Sequence, residues 1–114
     1  MEIKINGLKW EVMWVKKNSK KLICDDVKCL GVTYFDKNRI YLDKTLSEKE
    51  FEVTIIHELA HAFLFSNDVQ LNTDDDRVDE TVCEFMEKNL KKMLKLSTKI
   101  FKAWKIDRMM KTFS

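Results

Sequence analysis

Hydrophobic and polar positions change rhythm once along this chain. They follow a period of about two up to residue 43 and recur every three or four residues beyond Thr45. Leu8 to Lys16 alternates well enough to predict a half-buried strand, which the polar run Lys17-Asn18-Ser19-Lys20-Lys21 ends. Gly31–Asp36 and Arg39–Asp43 are two β-prone runs joined through Lys37-Asn38, a hairpin in which Asp36 and Asn38 supply turn chemistry. Ser47 with Glu50, or Thr45 with Glu48, then offers a capping box. The helix that follows should run to about Phe65. Phe51, Ile55, Ile56, Leu59, Ala62 and Phe63 make it apolar around most of its circumference, so it is expected to be central and buried. Residues 66–75 read as a polar loop ending in an acidic cluster. A second helix is predicted from about Asp76 to Lys95, with Val78, Val82, Phe85, Met86, Leu90 and Met93 inward. A last helix should run from beyond Ser97-Thr98 to about Lys111. Strands first and helices after define an α+β chain, with helices packed on one face of a small antiparallel sheet of three strands.

Composition narrows the picture. At 114 residues the chain is one domain, 1–114, with room for a single modest core and no separate substrate lobe. A net charge of +2, with 35% charged and 45% apolar residues, is ordinary for a soluble globular protein and implies no strong steering of polyanions. Arginine occurs only at Arg39, Arg77 and Arg108, so bidentate readout of phosphate or guanine is poorly supplied, and nucleic acid is not the expected partner. Cys24, Cys29 and Cys83 are too few for a disulfide framework, and the spacing of the first two matches neither a redox CxxC nor a zinc knuckle. Residues 1–7 lack an apolar signal region and no window approaches a membrane span, so a reducing cytoplasm is the expected location. Oligomeric state stays open.

The chemistry concentrates in His57-Glu58-Leu59-Ala60-His61, which uses both histidines of the chain. On a helix, His57 and His61 stand at i and i+4, one turn apart on one face. Two imidazole nitrogens can then reach a single metal ion, with Glu58 beside it as candidate general base. Burying two imidazoles and a carboxylate without partners would cost on the order of 2 kcal/mol or more per group, which a metal would relieve. A catalytic zinc takes three protein ligands and keeps one position open. No third histidine exists, so a carboxylate or Cys83 must complete the set. Leu64 and Asn67 occupy the later positions of H-E-x-x-H-x-x-G-x-x-H, which removes the metzincin reading. On a helical wheel Asp79 points into the middle of the second helix's apolar arc and Glu80 lies just past its edge. Cys83 also falls on the inner arc, where it reads as a small buried hydrophobe.

Residues 31–96 resemble the small zinc metallopeptidases of the ImmA/IrrE type, gluzincins often encoded by phages and mobile elements. The matching stretches are Ile40-Tyr41-Leu42, Ile55-Ile56-His57-Glu58-Leu59-Ala60-His61-Ala62-Phe63-Leu64 and Asp79-Glu80-Thr81-Val82-Cys83-Glu84-Phe85. The resemblance implies a minimal zincin-like domain with a central HExxH helix, a second ligand-bearing helix and a C-terminal helix. It implies a Zn2+ cofactor held by His57, His61 and Glu80, with Asp79 the alternative third ligand that the wheel prefers. It further implies hydrolysis of a protein or peptide substrate, such as a phage or mobile-element regulator, with Glu58 as the base. Tyr34 and Tyr41 are candidate second oxyanion donors, though ordinary strand packing with the hydroxyl at the surface is the favoured reading of both, and the run Arg39–Asp43 is the expected sheet edge for an extended peptide. No specificity pocket is defined. The competing class is a catalytically silent, zinc-stabilised protein-binding module, against which Glu58 argues, because a structural site needs no base. The lysines from Lys99 to Lys111, interleaved with Ile100, Phe101, Trp104 and Ile106, are expected to be the solvated face of a terminal helix packed on the core rather than a partner surface.

Overall fold

Asn6-Gly7 reverses the chain almost as soon as it begins. Both residues have positive φ, 51° and 80°, as a two-residue hairpin turn requires, and they join β1 (Glu2–Ile5) to β2 (Leu8–Val15). The computed structural model describes residues 1–67 and 78–113, without the side chains at 78, 79, 112 and 113. After β2 come a 3-10 turn (Lys20–Leu22), the short ribbon β3 (Ile23–Cys24) and β4 (Val27–Lys28), then β5 (Gly31–Tyr34) and β6 (Arg39–Asp43). Two helices follow, α1 (Glu48–Ser66) and α2 (Val78–Phe113). The expected polar loop after α1 falls mostly on residues 68–77, outside the described residues.

The α+β class holds, but the three-stranded antiparallel sheet is corrected. The main sheet has four strands in the order β1-β2-β6-β5, antiparallel at both outer pairs and parallel between β2 and β6. β1 was missed because four residues give little alternation to read. The parallel pairing arises because everything from residue 16 to 38 is a crossover that brings β6 back in the direction of β2. The β5–β6 hairpin is as expected, with Asn38 at φ 52° in its turn. One consequence bears on function: Arg39–Asp43 lies inside the sheet, and β5 is the edge strand on that side.

Strand alternation gives the sheet two buried faces. Ile3, Ile5, Trp10, Val12, Ile40 and Leu42 meet Phe51, Ile55, Leu59, Ala62 and Phe63 of α1 in the main core. On the other face Val32 stands opposite Tyr41, and the 3-10 turn covers β5 and β6 with Leu22 fully buried.

α1 starts where the sequence places it. Ser47 Oγ accepts from the Glu50 N–H at 3.2 Å and donates to Glu50 Oε1 at 2.9 Å. Thr45, the other cap candidate, instead donates its N–H and hydroxyl to the buried carboxylate of Asp43, at 2.9 and 2.7 Å. The two predicted C-terminal helices are one continuous helix. Neither glycine nor proline interrupts it, Ser97 is buried, and the Thr98 hydroxyl turns back onto the Leu94 carbonyl at 3.0 Å. Its buried stripe is Phe85, Asn89, Met93, Ser97, Ile100 and Trp104, whereas Val82, Met86 and Leu90, expected inward, are substantially exposed. Trp104 stacks on Phe51 at 4.0 Å between ring centres, 9° from parallel, which locks the late turns of α2 to the first turn of α1. Packing of the terminal helix by its aromatic side is therefore as expected.

Gly31 sets how closely β5 approaches α1. A Cβ there would lie 2.9 Å from both Glu58 Cγ and Thr54 Cγ2, and 3.2 Å from Leu42 Cδ2. Those neighbours are packed or hydrogen-bonded, so Gly31→Ala should destabilise the fold by about 1–3 kcal/mol through overpacking. Thermal denaturation should register a drop of several degrees. A second prediction concerns Asp107. The indole N–H of Trp14 donates to its carboxylate at 2.8 Å, and this bond, with Lys111 at 3.3 Å behind it, holds the carboxyl below the usual aspartate range against an opposing push from burial. A lowered native value means this stabilisation is full above the ordinary aspartate range and is lost as pH falls through the native value. Acid titration followed by tryptophan fluorescence should show a transition below that range, absent in Asp107→Asn.

Candidate active site

α1 carries its chemistry on the side turned away from the core. A period of 3.6 places Ile55, Leu59 and Ala62 inward, leaving His57 and His61 together on the exposed flank. The helix is therefore less uniformly buried than the run of apolar residues suggested. Both histidines are exposed, so the cost of burying their imidazoles does not arise and carries no argument for a metal. Only Glu58 of the motif's three polar residues is buried, at 6% exposure. The two histidine Nε2 atoms converge to 3.2 Å, with the rings nearly perpendicular. For that contact to be a hydrogen bond, one ring must donate and the other accept; alternatively both lone pairs turn to a common cation.

Glu58 is held from the strand side. Thr33 of β5 donates its hydroxyl to Glu58 Oε1 at 2.8 Å and lies 3.3 Å from the Glu58 backbone carbonyl. This bond exists because β5 is paired so that Gly31 and Thr33 sit opposite Leu42 and Ile40, on the face towards α1. The motif gives no hint of Thr33; only the pairing of β5 against β6 shows which of its residues face the helix.

Together these residues line an open cleft of about 290 Å³ between the β5 edge and α1. Its walls are Gly31, Val32, Thr33 and Phe35 on one side and His57, Glu58 and His61 on the other. Phe35 packs on Phe65 at 4.9 Å, and both rings keep exposed aromatic surface. Cys24 and Cys29, both free thiols, which sequence spacing had left without a role, also line the cleft. Their presence follows from the ribbon register: Cys24 pairs with Val27, two residues from Cys29, so both point to one side.

Other expected residues fall elsewhere. Tyr34 and Tyr41 form an edge-to-face pair with ring centres 5.4 Å apart and do not line the cleft. The Tyr34 hydroxyl donates to the Lys21 carbonyl at 3.0 Å. Burial first, then Cys24, Tyr41 and Asp36, pushes its phenol above the ordinary value. This edge-to-face pairing is the strand packing favoured for both tyrosines. Cys83, expected to be buried, is exposed on α2. Glu80 is exposed in the first turn of α2 and does not line the cleft, and the side chain of Asp79 lies outside the described residues. Among the described residues no third His, Cys, Asp or Glu forms a metal-holding group with the two histidines.

What the arrangement can do is specific: two nitrogen donors side by side, an adjacent buried carboxylate with a fixed orientation, and an edge strand along the same groove. Comparison with known proteins points the same way. The model of the Peptidase_M78 family, described as the IrrE N-terminal-like domain, matches residues 15–108, which include the edge strand, the HExxH helix and most of α2. No curated protein and no solved structure matches the chain. This chain belongs to the Peptidase_M78 family of IrrE N-terminal-like domains.

Proposed function

We propose that this domain is a zinc-dependent peptidase that cleaves a protein substrate in the cytoplasm, a regulator of a phage or mobile element being the kind of target its resemblance suggests. The observation that carries the reading is the 3.2 Å approach of the His57 and His61 Nε2 atoms beside a buried, oriented Glu58. Two ligands roughly 2.0–2.1 Å from a tetrahedral zinc ion stand about 3.3–3.4 Å apart, so the separation of the histidine pair suits such an ion. Their exposure suits the same purpose, because ion, water and substrate must all reach them. Glu80 is the proposed third ligand, with Asp79 the alternative.

When bound, zinc supplies Lewis-acid chemistry, acidifying a water towards a pKa of about 7 and polarising the scissile carbonyl. The protein does the rest. Glu58 takes the proton from the attacking water and delivers it to the leaving amine. Thr33 donates to one carboxylate oxygen and so fixes which oxygen is left for that transfer. An extended peptide laid along β5, the edge strand of the cleft, gains main-chain hydrogen bonds with little demand on sequence. The exposed aromatic surface of Phe35 favours a hydrophobic side chain beside it.

Elemental analysis should find about one zinc per chain. The metal should be lost in His57→Ala and in Glu80→Ala and kept in Asp79→Ala. Loss with Asp79→Ala and retention with Glu80→Ala would transfer the third-ligand role. Glu58→Gln should retain zinc while hydrolysis of an unstructured fluorogenic peptide library falls by about 10²–10⁴-fold. Zinc without hydrolysis in the wild type would favour the silent protein-binding module, and a well-folded, zinc-free wild type would overturn the metal reading altogether. Thr33→Val removes the hydrogen bond that holds the Glu58 carboxylate among the described residues. It should cost about 1–3 kcal/mol of stability and lower the rate without loss of zinc.

A further inference from the structure

Away from the cleft, the fold assembles a basic groove that the overall charge of +2 conceals. Residues 88–106 contain seven lysines and no aspartate or glutamate. α2 presents Lys92, Lys95 and Lys99 along one wall of the groove. Lys4 and Lys9, from the β1–β2 hairpin, form the other. Among the described residues the one acid lining it is Glu2, 3.7 Å from Lys9. None of Lys92, Lys95 and Lys99 has an ion-pair partner among the described residues. The two elements that supply the charge are separated by more than eighty residues, so the concentration of lysine is a property of the fold and not of a local run.

We propose that this groove binds the phosphate backbone of duplex nucleic acid, without sequence preference. The chemistry of the groove selects that partner. Lys92 to Lys99 spans about 10 Å of helix, at 1.5 Å per residue, and Lys4 and Lys9 face it from the sheet, so cations line both sides of a track that a charged strand can follow. Protein partners are anchored by desolvated aromatic or aliphatic side chains, but of the large apolar residues lining the groove Ile3, Ile5 and Phe63 are buried floor at 1–5% exposure, and Leu96 by itself is partly exposed, too little for such an anchor. Single strands call for an exposed aromatic platform, and no exposed aromatic residue lines the groove. A duplex backbone asks only for well-placed cations, which lysine supplies as point charges. Scarcity of arginine weakens base readout, not this mode of contact.

The test is fluorescence anisotropy of a labelled mixed-sequence DNA duplex with the full chain, at salt concentrations from about 50 to 200 mM, the range over which counterion release is steep. Five phosphate contacts give a log–log salt slope of about −4.5, so affinity should fall by about five-hundred-fold across that range. Lys92→Glu, Lys95→Glu and Lys99→Glu combined should abolish binding. The corresponding triple glutamine variant, whose melting temperature checks the fold, should weaken it and reduce the slope by nearly three. Polyglutamate and vesicles of anionic lipid are run beside the duplex. Stronger binding to polyglutamate would overturn the proposal in favour of an acidic protein, and stronger binding to vesicles in favour of a membrane surface. No duplex binding at the lowest salt would overturn it in favour of a solvated face.

Discussion

The contact between β5 and α1 is the constraint on which the rest of the site depends. Gly31 lets the strand approach until its Cα faces the Glu58 side chain with no room for a methyl group. Two residues on, Thr33 uses that proximity to hold the Glu58 carboxylate. A carboxylate at 6% exposure is tolerated only with such a partner, since an uncompensated buried charge costs far more than a hydrogen bond returns. One close approach thus orients the base, defines the cleft and leaves the far edge of β5 beside the histidines.

α1 serves as a partition. Its inner residues close the core with the sheet, and its outer flank carries the two histidines. The Phe51–Trp104 stack then ties its first turn to the late turns of α2, so the helix is braced at the end away from His61 by packing rather than by the site itself. Because α2 is unbroken over Val78–Phe113, it links the position of Glu80, at its start, to that anchor more than twenty residues later. Substitutions near Trp104 therefore reach the motif only through helix placement. The basic groove between α2 and the β1–β2 hairpin uses the same rigid frame and draws on none of the cleft's residues.

Local chemistry is legible along the chain itself. Ser47 and Glu50 cap α1 because a side-chain oxygen must satisfy the first free N–H groups wherever the helix begins. His57 and His61 converge because helical geometry alone brings i and i+4 together. The hairpin at Lys37-Asn38 forms because Asn38 accepts positive φ. These outcomes depend on neighbours a few residues away, and the order of residues already contains them.

What required tertiary structure depends on distant pairings. Parallel register between β2 and β6 moved Arg39–Asp43 into the sheet and made β5 the edge, a choice that no period-two pattern encodes. Continuity of α2 through Ser97-Thr98 followed from burial of Ser97 against the core, which overrides the weak helix preference of the pair. Thr33, the thiols at the cleft, and the meeting of Lys4 and Lys9 with Lys92 and Lys99 are likewise products of strand register and packing. The sequence by itself determined the motif, the caps and the α+β class, because backbone geometry makes those local. Only the folded chain decided which residues surround the motif, because side chains remote in sequence meet through the burial of apolar surface and not through spacing.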